Sequence, residues 1–312
     1  MSDILVSVVS PIFNMERYLR EFLDSLAAQT LREAEFICID DGSTDNSLKI
    51  IYEYARKDSR FRVISKENEG YGRTMNLGID LAKGCYVGFL DPDDFCDPQT
   101  FETLFSQARA HGFPDIVKAN YFKHSSVEGD VYVKNFPADD CGHVFELSDH
   151  PNTLKSTPTI WAAVYRTGFL KECGLRLTET PGVSYQDTAF VKKAWLASKS
   201  ILLLHDAFVH YRIDNPKSSS KASGNVFRVC DEYDLVEAYM REVGKESWAS
   251  PYVRASRVGA YLWNLGRLHG EERALFLARA QREFTLMRDS GLMEETPFTS
   301  WQLKTIDEVI QS

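Results

Sequence analysis

The sequence FICIDDGSTD at residues 36–45 passes from an apolar strand pattern into an acidic turn and then into the start of a helix. Phe36–Ile39 has the length and apolar character of a buried strand. Ser43, Thr44 and Asp45 are residue types that cap helices, and an apolar face at helical spacing follows them. This stretch therefore predicts a strand that is followed by a helix, with carboxylates in the turn between them.

The same alternation of strand and helix continues on both sides of this stretch. Strands that alternate with helices at this interval predict β-α-β units and a parallel sheet. Ligands bind such sheets beyond the carboxyl ends of the strands. The further predicted elements are a strand at Leu5–Ser10, a helix capped by Asn14, a strand at Phe61–Ile64, a helix at Thr74–Ala82, a strand at Tyr86–Leu90, a helix begun by Asp97-Pro98 and a strand at Asp115–Tyr121.

The second half of the chain changes character twice. Lys123–Pro158 loses the periodicity, which indicates a hairpin or an irregular insertion, and strand, helix and strand patterns then return before residue 212. A Ser-rich break near Pro216–Ser223 is followed by helical patterns beyond Asn225. The predicted fold class is α/β, with a Rossmann-like, mostly parallel sheet flanked by helices and a helical C-terminal extension.

The composition and charge of the chain argue against several classes of function. The chain has 312 residues, of which 44% are hydrophobic and 26% charged, and its net charge is −9. An acidic chain lacks the basic footprint of nucleic-acid binding. The sequence contains no apolar run of about 20 residues and no basic segment before an apolar N-terminal run, so we expect no transmembrane segment and a cytoplasmic location. Its six scattered cysteines indicate a reducing compartment.

Two acidic turns contain carboxylates that could bind a metal ion or a nucleotide. Asp91-Pro92-Asp93-Asp94 follows a strand, and two carboxylates at this spacing can reach one hard divalent cation. The alternative is an acidic turn that only caps the next helix. Asp40 and Asp41 could accept hydrogen bonds from a nucleotide base or a ribose, or could serve turn chemistry alone.

The turn after the first strand, Pro11–Asn14, contains no glycine. It therefore matches neither the dinucleotide fingerprint nor the P-loop, which argues against hydride transfer and nucleotide hydrolysis. Phe13 could stack on a base or belong to the core. In the second half, Asp187 is either a general base or a helix cap, and Arg212 could offset the charge of a pyrophosphate.

Taken together, these residues resemble the family 2 glycosyltransferases with the GT-A fold. The resemblance covers roughly the first hundred residues in order and spacing, and it fades after about residue 220. Tyr185-Gln186-Asp187 resembles the acidic base motif of the family. The other matching stretches are residues 6–14, 39–47, 76–78, 82–84 and 89–95.

The resemblance implies a role for each matching residue. Pro11 and Phe13 would line the base pocket, and Asp41 would accept a hydrogen bond from a uracil-type edge with support from Asp40. Asp91 would contact both ribose and metal, which is expected to be Mn²⁺ or Mg²⁺. Asp93 would bind the metal, and Asp187 would be the general base.

Two departures from the family pattern concern cations and the third metal ligand. Many relatives have Arg where this chain has Met75, so the nearby Arg73 is the expected donor-binding cation. Relatives often show R-x-H near the end of the catalytic domain, whereas this chain has Arg212-Ile213-Asp214. Arg212 remains a donor-binding candidate, and the third metal ligand is expected to be His210 or Asp214.

The implied function is transfer of a sugar, with inversion, from a nucleoside-diphosphate sugar, expected to be a UDP-sugar, to a hydroxyl of a glycan or lipid-linked acceptor in surface polysaccharide synthesis. We expect a catalytic domain at 1–220, with a donor half at about 1–112 and an acceptor half at about 113–220. The helical region at 221–312 is expected to serve acceptor binding, docking to the inner face of the membrane or homodimer formation, or only to pack against the catalytic domain. A metal-dependent nucleotidyltransferase and an inactive nucleotide-sugar-binding module are the alternatives.

Overall fold

A computed structural model describes residues 4–182, 185–218 and 226–312. The chain divides into two compact units, each built from several segments. The first unit comprises Met1–Leu147, Thr159–Val183 and Ala197–Pro216, and the second comprises Ser148–Pro158, Ser184–Leu196 and Lys217–Ser312. The domain boundary expected at residues 220 and 221 lies outside the described residues.

The first unit contains one mixed sheet with helices. Its strands are β1 (Val6–Ile12), β2 (Ala34–Asp41), β3 (Phe61–Lys66), β4 (Tyr86–Phe89), β5 (Phe95–Cys96), β6 (Ile116–Ser125), β7 (Gly129–Val133), β8 (Val144–Phe145), β9 (Ala163–Arg166) and β10 (Ile201–Arg212). Its helices are α1 (Leu19–Ala27), α2 (Ser47–Ala55), α3 (Tyr71–Leu81), α4 (Thr100–Ala110) and α5 (Thr167–Glu172).

The sheet has the strand order β3-β2-β1-β4-β9-β6-β10-β5, with β7 paired to β6 and β8 paired to β10. The β3-β2-β1-β4 half is parallel, as is the β6-β10 pair. The remaining pairs, including both pairs made by β9, are antiparallel. The carboxyl ends of β2, β1 and β4 consequently lie side by side, as the alternating pattern predicts.

Two glycines allow close packing in the parallel half of the sheet. A Cβ atom at Gly78 would come within 2.1 Å of the Val9 side chain, so only glycine allows the observed approach of α3 to β1. At Gly84, just before β4, a Cβ atom would lie 2.6 Å from the Ser7 backbone nitrogen. Both glycines fall in the stretches that carry the family resemblance, and their role here is packing.

Three predicted helix starts differ from the structure, and one of them is α3, which begins at Tyr71 and not at Thr74. Asn14 does not cap α1, which begins five residues later; it has a φ of 54°, and its side chain accepts a hydrogen bond from the Thr44 backbone nitrogen at 2.7 Å. Asp97-Pro98 does not begin α4, which starts at Thr100 with Gln99 in the cap position; the Asp97 backbone nitrogen donates to the Phe208 carbonyl beside the strand pair β5–β10.

The second unit is mainly helical, as predicted for the C-terminal region. Its buried side chains include Val229, Tyr233 and Val236 of α7 (Arg228–Glu242), and the Tyr233 hydroxyl lies 2.8 Å from the Ser256 hydroxyl of α8 (Glu246–Arg267). Among the described residues, no helix is both long enough and apolar enough to span a bilayer. The helices are α6 (Gln186–Ala197), α7 (Arg228–Glu242), α8 (Glu246–Arg267), α9 (Gly270–Asp289), α10 (Leu292–Glu295) and α11 (Ser300–Gln311).

Candidate functional site

The acidic turn after β4 is held in place by three neighbouring side chains. Asp91 Oδ1 lies 3.3 Å from the Tyr71 hydroxyl, which donates to it. Asp93 Oδ2 accepts a hydrogen bond of 2.7 Å from Asn215 Nδ2. Sequence reasoning missed both Tyr71 and Asn215, since neither belongs to a motif that stands out in the chain. The third neighbour is Arg212.

The three carboxylates of this turn differ in exposure. Asp91 and Asp93 are half-buried, whereas Asp94 is buried and accepts from the Arg212 backbone nitrogen at 2.7 Å. Burial raises the pKa of Asp94 well above its usual value, and the negative charges of Asp93 and Asp91 raise it further. Asp94 Oδ2 has no hydrogen-bond partner among the described residues. An oxygen-only set of this charge fits a hard divalent cation at Asp91 and Asp93.

Arg212 ties this turn to β10 and α1. Its Nε donates to the Asp93 carbonyl at 2.8 Å, its Nη1 donates to Ser126 Oγ at 3.1 Å, and its Nη2 forms an ion pair with Glu21. The side chain is only 3% exposed. The described contacts of Arg212 therefore give it a positioning role beside the acidic turn, and its predicted contact with the donor remains a prediction.

The two sequence candidates for the third metal ligand have other partners in the first unit. His210 lies beside Asp130 and Asp97, with 3.0 Å from His210 Nδ1 to Asp130 Oδ2 and 3.3 Å from His210 Nε2 to Asp97 Oδ1. Asp214 Oδ2 accepts from the Ser126 backbone nitrogen at 2.7 Å. Metal binding by His210 or Asp214 remains a prediction.

The turn after β2 is organised around Asp41. Its carboxylate accepts hydrogen bonds from the backbone nitrogens of Glu69 and Gly70, each at 2.9 Å, and pairs with Lys66 Nζ. Asp40 is buried, and its Oδ1 has no partner among the described residues. Asp41 thus fixes the loop that leads from β3 into α3.

The turns after β1 and β2 are joined to each other. The Asn14 backbone nitrogen donates to Ser43 Oγ at 3.0 Å, in addition to the bond between the Asn14 side chain and Thr44. Pro11 is buried within β1, whereas the Phe13 side chain, just beyond the end of the strand, is 44% exposed. The structure thus places Phe13 where an aromatic ring is open to a ligand and leaves Pro11 in the interior.

Arg73 lies on the exposed side of α3. It forms ion pairs with Glu69 at 3.0 Å and with Glu179 at 3.1 Å. Asn76, one turn further along α3, donates to the Leu177 carbonyl and to Glu179, both at 3.0 Å. The segment around Glu179 is therefore attached to α3, and Arg73 already has two carboxylate partners.

Asp187 lies in the second unit, in the first turn of α6. Lys192, further along the same helix, is buried and donates to the carbonyls of Leu154 and Ser156 at 2.6 and 2.7 Å. Burial lowers the pKa of Lys192 to about 7, although the nearby Asp187 charge acts in the opposite direction. Helix α6 therefore carries a carboxylate in its first turn and a buried amine near its middle.

The comparisons with known proteins agree with the predicted family. The description "Glycosyl transferase family 2" matches residues 7–169, which is more than half of the chain. This protein belongs to glycosyl transferase family 2. The predicted membership in a glycosyltransferase family is therefore confirmed.

Two curated relatives are glycosyltransferases by name. The chain is 31% identical over 220 residues to the uncharacterized glycosyltransferase EpsJ of Bacillus subtilis, which is 69% of this chain and 62% of EpsJ. It is 30% identical over 236 residues to the glycosyltransferase GlyG of Streptococcus pneumoniae, covering 74% of this chain and 75% of GlyG. The match to EpsJ thus spans less than two thirds of that protein.

A solved structure confirms the fold. S. aureus TarS 1–349, in complex with UDP-GlcNAc, superposes with a TM-score of 0.69 over 90% of this chain and 81% of the TarS chain. The two sequences are 23% identical. The predicted GT-A fold, with a central sheet between helices and a helical C-terminal region, is confirmed by this likeness.

Proposed function

We propose that this chain transfers a sugar from a UDP-sugar to a hydroxyl of a glycan or lipid-linked acceptor, with inversion, in the synthesis of a surface polysaccharide. The observation that carries the proposal is the acidic turn at the carboxyl end of β4. In this turn Asn215 holds the Asp93 carboxylate by a hydrogen bond. The turns after β1 and β2 lie at the same edge of the sheet, where α/β sheets bind ligands. The UDP-GlcNAc bound to TarS supports a uridine nucleotide.

The donor nucleotide would bind along this edge. The exposed ring of Phe13 would stack on the base, with Pro11 beneath the turn, and Asp41 with Asp40 would recognise the base edge. Arg73 is the cation on α3 proposed to act near the diphosphate. The contacts of Arg212 support an indirect contribution through the position of Asp93.

Asp91 and Asp93 are the residues proposed to hold a divalent cation, Mn²⁺ or Mg²⁺. Such an ion, when bound, supplies positive charge that stabilises the departing nucleoside diphosphate. Asn215 holds one oxygen of Asp93 in place, and Tyr71 does the same for Asp91. His210 and Asp214 remain the predicted candidates for a third ligand.

The chemical step proposed is a single displacement at the anomeric carbon. The acceptor oxygen forms the new glycosidic bond as the bond to the diphosphate oxygen breaks. Asp187 takes the proton of the acceptor hydroxyl during the attack. Because one displacement occurs, the anomeric configuration inverts. Holding donor and acceptor in one orientation can contribute on the order of 7–11 kcal/mol to lowering the barrier.

The acceptor is proposed to bind on the second unit, which also carries Asp187. An open groove of about 560 Å³ is lined there by Trp248, Tyr252, Glu294 and Glu295, together with proline and hydroxyl side chains. Aromatic faces pack against the C–H faces of sugar rings, and carboxylates accept hydrogen bonds from sugar hydroxyls. This combination supports a glycan acceptor. A cytoplasmic location, association with the membrane surface and homodimer formation remain predictions.

Product analysis tests the proposed function. The purified chain is incubated with a panel of UDP-sugars, Mn²⁺ and candidate glycan acceptors, and UDP release and the masses of new glycosides are measured. We expect one UDP-sugar to give a glycoside and an equal amount of UDP. Binding without turnover would identify a nucleotide-sugar-binding module, and a product that retains a nucleotidyl group would identify a nucleotidyltransferase. Either outcome contradicts the proposal.

A further inference from the structure

A cluster of two histidines and one aspartate lies on one face of the sheet in the first unit. His124, Asp130 and His210 each offer a ligand atom, and these atoms all lie within 4.8 Å of one another. His124 and Asp130 are paired directly across β6 and β7. His210 on β10 is paired with Phe122, two residues before His124 on β6, so all three side chains point to the same face.

His210 presents one ring nitrogen to this cluster. Its Nδ1 lies 3.0 Å from Asp130 Oδ2 but off the line that a hydrogen bond requires, so this buried nitrogen has no hydrogen-bond partner among the described residues. Its Nε2 lies 3.3 Å from Asp97 Oδ1. When a metal ion binds Nδ1, the Asp97 carboxylate can accept the hydrogen that is then on Nε2, and this contact would fix the tautomer that presents the Nδ1 lone pair to the cluster.

Two aromatic rings fix the orientation of the His210 imidazole. Phe95 on β5 stacks on the ring with 4.4 Å between centroids and 5° between planes. Phe122 on β6 stacks on it at 5.0 Å and 17°. Because β10 lies between β5 and β6, the two rings cover opposite faces of the imidazole. The two stacked rings therefore hold His210 Nδ1 in place before any metal ion binds.

We propose that His124, Asp130 and His210 form a binding site for Zn²⁺, with a fourth position open to water. Two imidazole nitrogens and one carboxylate are a usual three-residue ligand set for Zn²⁺, whereas Mg²⁺ and Ca²⁺ prefer oxygen ligands alone. The site is therefore chemically different from the oxygen-only turn at Asp91 and Asp93. It rests on the first unit's own geometry, and because it assigns His210 to Zn²⁺ it leaves Asp214 as the candidate third ligand at Asp91 and Asp93.

The distances and charges of the cluster suit this ion. His124 Nδ1 lies 2.7 Å from Asp130 Oδ1, and bonds of about 2.0–2.1 Å at tetrahedral angles separate ligand atoms by about 3.3 Å. Small side-chain adjustments would admit the ion. Partial burial raises the pKa of Asp130, but the two imidazoles outweigh that effect and keep it below its usual value, so the carboxylate is ionised. The Asp130 side chain is 38% exposed, which leaves an entry path.

A bound Zn²⁺ would connect three strands. It would fasten the β6–β7 hairpin to β10 close to Asp97, which follows β5 directly. The segment between Asp93 and Asp97 carries Phe95, one of the two rings that cover His210. The proposed role of the ion is therefore to stabilise the β7-β6-β10 part of the sheet.

Cobalt titration tests the site directly. The full chain is stripped with a chelator and titrated with Co²⁺ in the absence of nucleotide, and the visible absorption of four- or five-coordinate Co²⁺ is followed, with Zn²⁺ as competitor. We expect one equivalent to saturate the signal and Zn²⁺ to displace it. His124→Gln and Asp130→Asn should each weaken binding by at least about 100-fold, and Asp97→Asn by about 10-fold.

Two control variants distinguish this site from surface histidines and from the acidic turn. His205→Gln alters an exposed histidine on the same strand and should leave the titration unchanged. Asp93→Asn should also leave it unchanged, because the proposed site does not include the acidic turn. Circular dichroism of each metal-free variant checks folding, and Zn²⁺ should raise the unfolding midpoint of the wild type but not of His124→Gln. Absence of the Co²⁺ signal, its persistence in His124→Gln or its loss in Asp93→Asn would each overturn the proposal.

Discussion

Asn215 donates a hydrogen bond from its side-chain amide to Asp93, with 2.7 Å between Nδ2 and Oδ2. Asn215 is buried, whereas Asp93 is half-buried at the turn after β4. The two residues are 122 positions apart in the chain. The contact joins the segment after β10 to the acidic turn, so the orientation of Asp93 depends on both.

Asn215→Ala should weaken donor binding in the presence of metal. The substitution removes a hydrogen bond to the Asp93 carboxylate, and a hydrogen bond to a charged group contributes about 1.5–3 kcal/mol, or about 10–150-fold in affinity. Calorimetric titration of UDP with Mn²⁺ measures the effect. Asn46→Ala is a matched control, since Asn46 pairs with Glu16 at an exposed position. Equal affinities for the wild type and Asn215→Ala would show that Asp93 needs no such support.

Asp41→Ala should lower the affinity for UDP by about 1–3 kcal/mol if the carboxylate accepts from the base N3–H, because that donor is then left unpaired. The wild type should bind UDP more tightly than ADP, and ADP binding should change little in the variant. Asp41 also holds the loop at Lys66, so Lys66→Met serves as the control for a loop effect. Equal losses for UDP and ADP in both variants would assign Asp41 to the loop alone.

Lys192→Met should change how stability depends on pH. Burial lowers the pKa of Lys192 to about 7 in the folded chain, against 10.5 for a lysine in water. Below pH 7 Lys192 is protonated in both the folded and the unfolded chain. The full free-energy cost of burying its charge then lowers the stability of the folded chain. Between about pH 7 and 10 the unfolded chain binds more protons than the folded chain, so the free energy of unfolding rises with pH.

Denaturant unfolding at several pH values measures this effect. The difference in free energy of unfolding between wild type and Lys192→Met should increase in favour of the wild type from about pH 7 to pH 9. Lys304→Met alters a lysine that is 78% exposed and should show no such trend. A difference that stays constant or declines over this range would exclude a depressed pKa at Lys192.

Asp187→Asn tests the proposed general base. The change removes basicity but keeps the shape, so turnover should fall by about 10²–10⁴-fold while the Kd for UDP is unchanged. Asp187 lies within the first turn of α6, where a negative charge contributes only about 0.3–1 kcal/mol to the helix. Folding should therefore survive. Transfer rate and UDP affinity are measured side by side, and an active variant would leave Asp187 with a structural role only.

The local part of the fold could be predicted from the sequence. The strand at Phe36–Ile39 and the turn after it are encoded by neighbouring residues, and β2 and the Asp41 turn are found there. Where a prediction failed, a contact with a residue far away in the chain determined the local structure. Asn14 has the residue type of a helix cap, yet its side chain binds Thr44 on the next turn and its backbone takes a positive φ.

The remaining features depend on contacts between residues far apart in the chain. The short strand β5 exists because it pairs with β10. With only two residues it has no hydrophobic pattern from which a strand could be predicted. The Asn215–Asp93 bond and the grouping of His210 with His124 likewise require the sheet order to be known. Sequence reasoning therefore found the acidic turn and Arg212, but not Tyr71 and Asn215, which also position the turn.

The most direct test of the proposed donor site is a titration of UDP into the wild type and Asp93→Ala, each with and without Mn²⁺. Mn²⁺ should strengthen UDP binding to the wild type, and this metal-dependent part of the affinity should be lost in Asp93→Ala. UDP affinity that is the same with and without Mn²⁺ in the wild type, or a metal effect that persists in Asp93→Ala, would show that the acidic turn does not bind the donor through a metal ion.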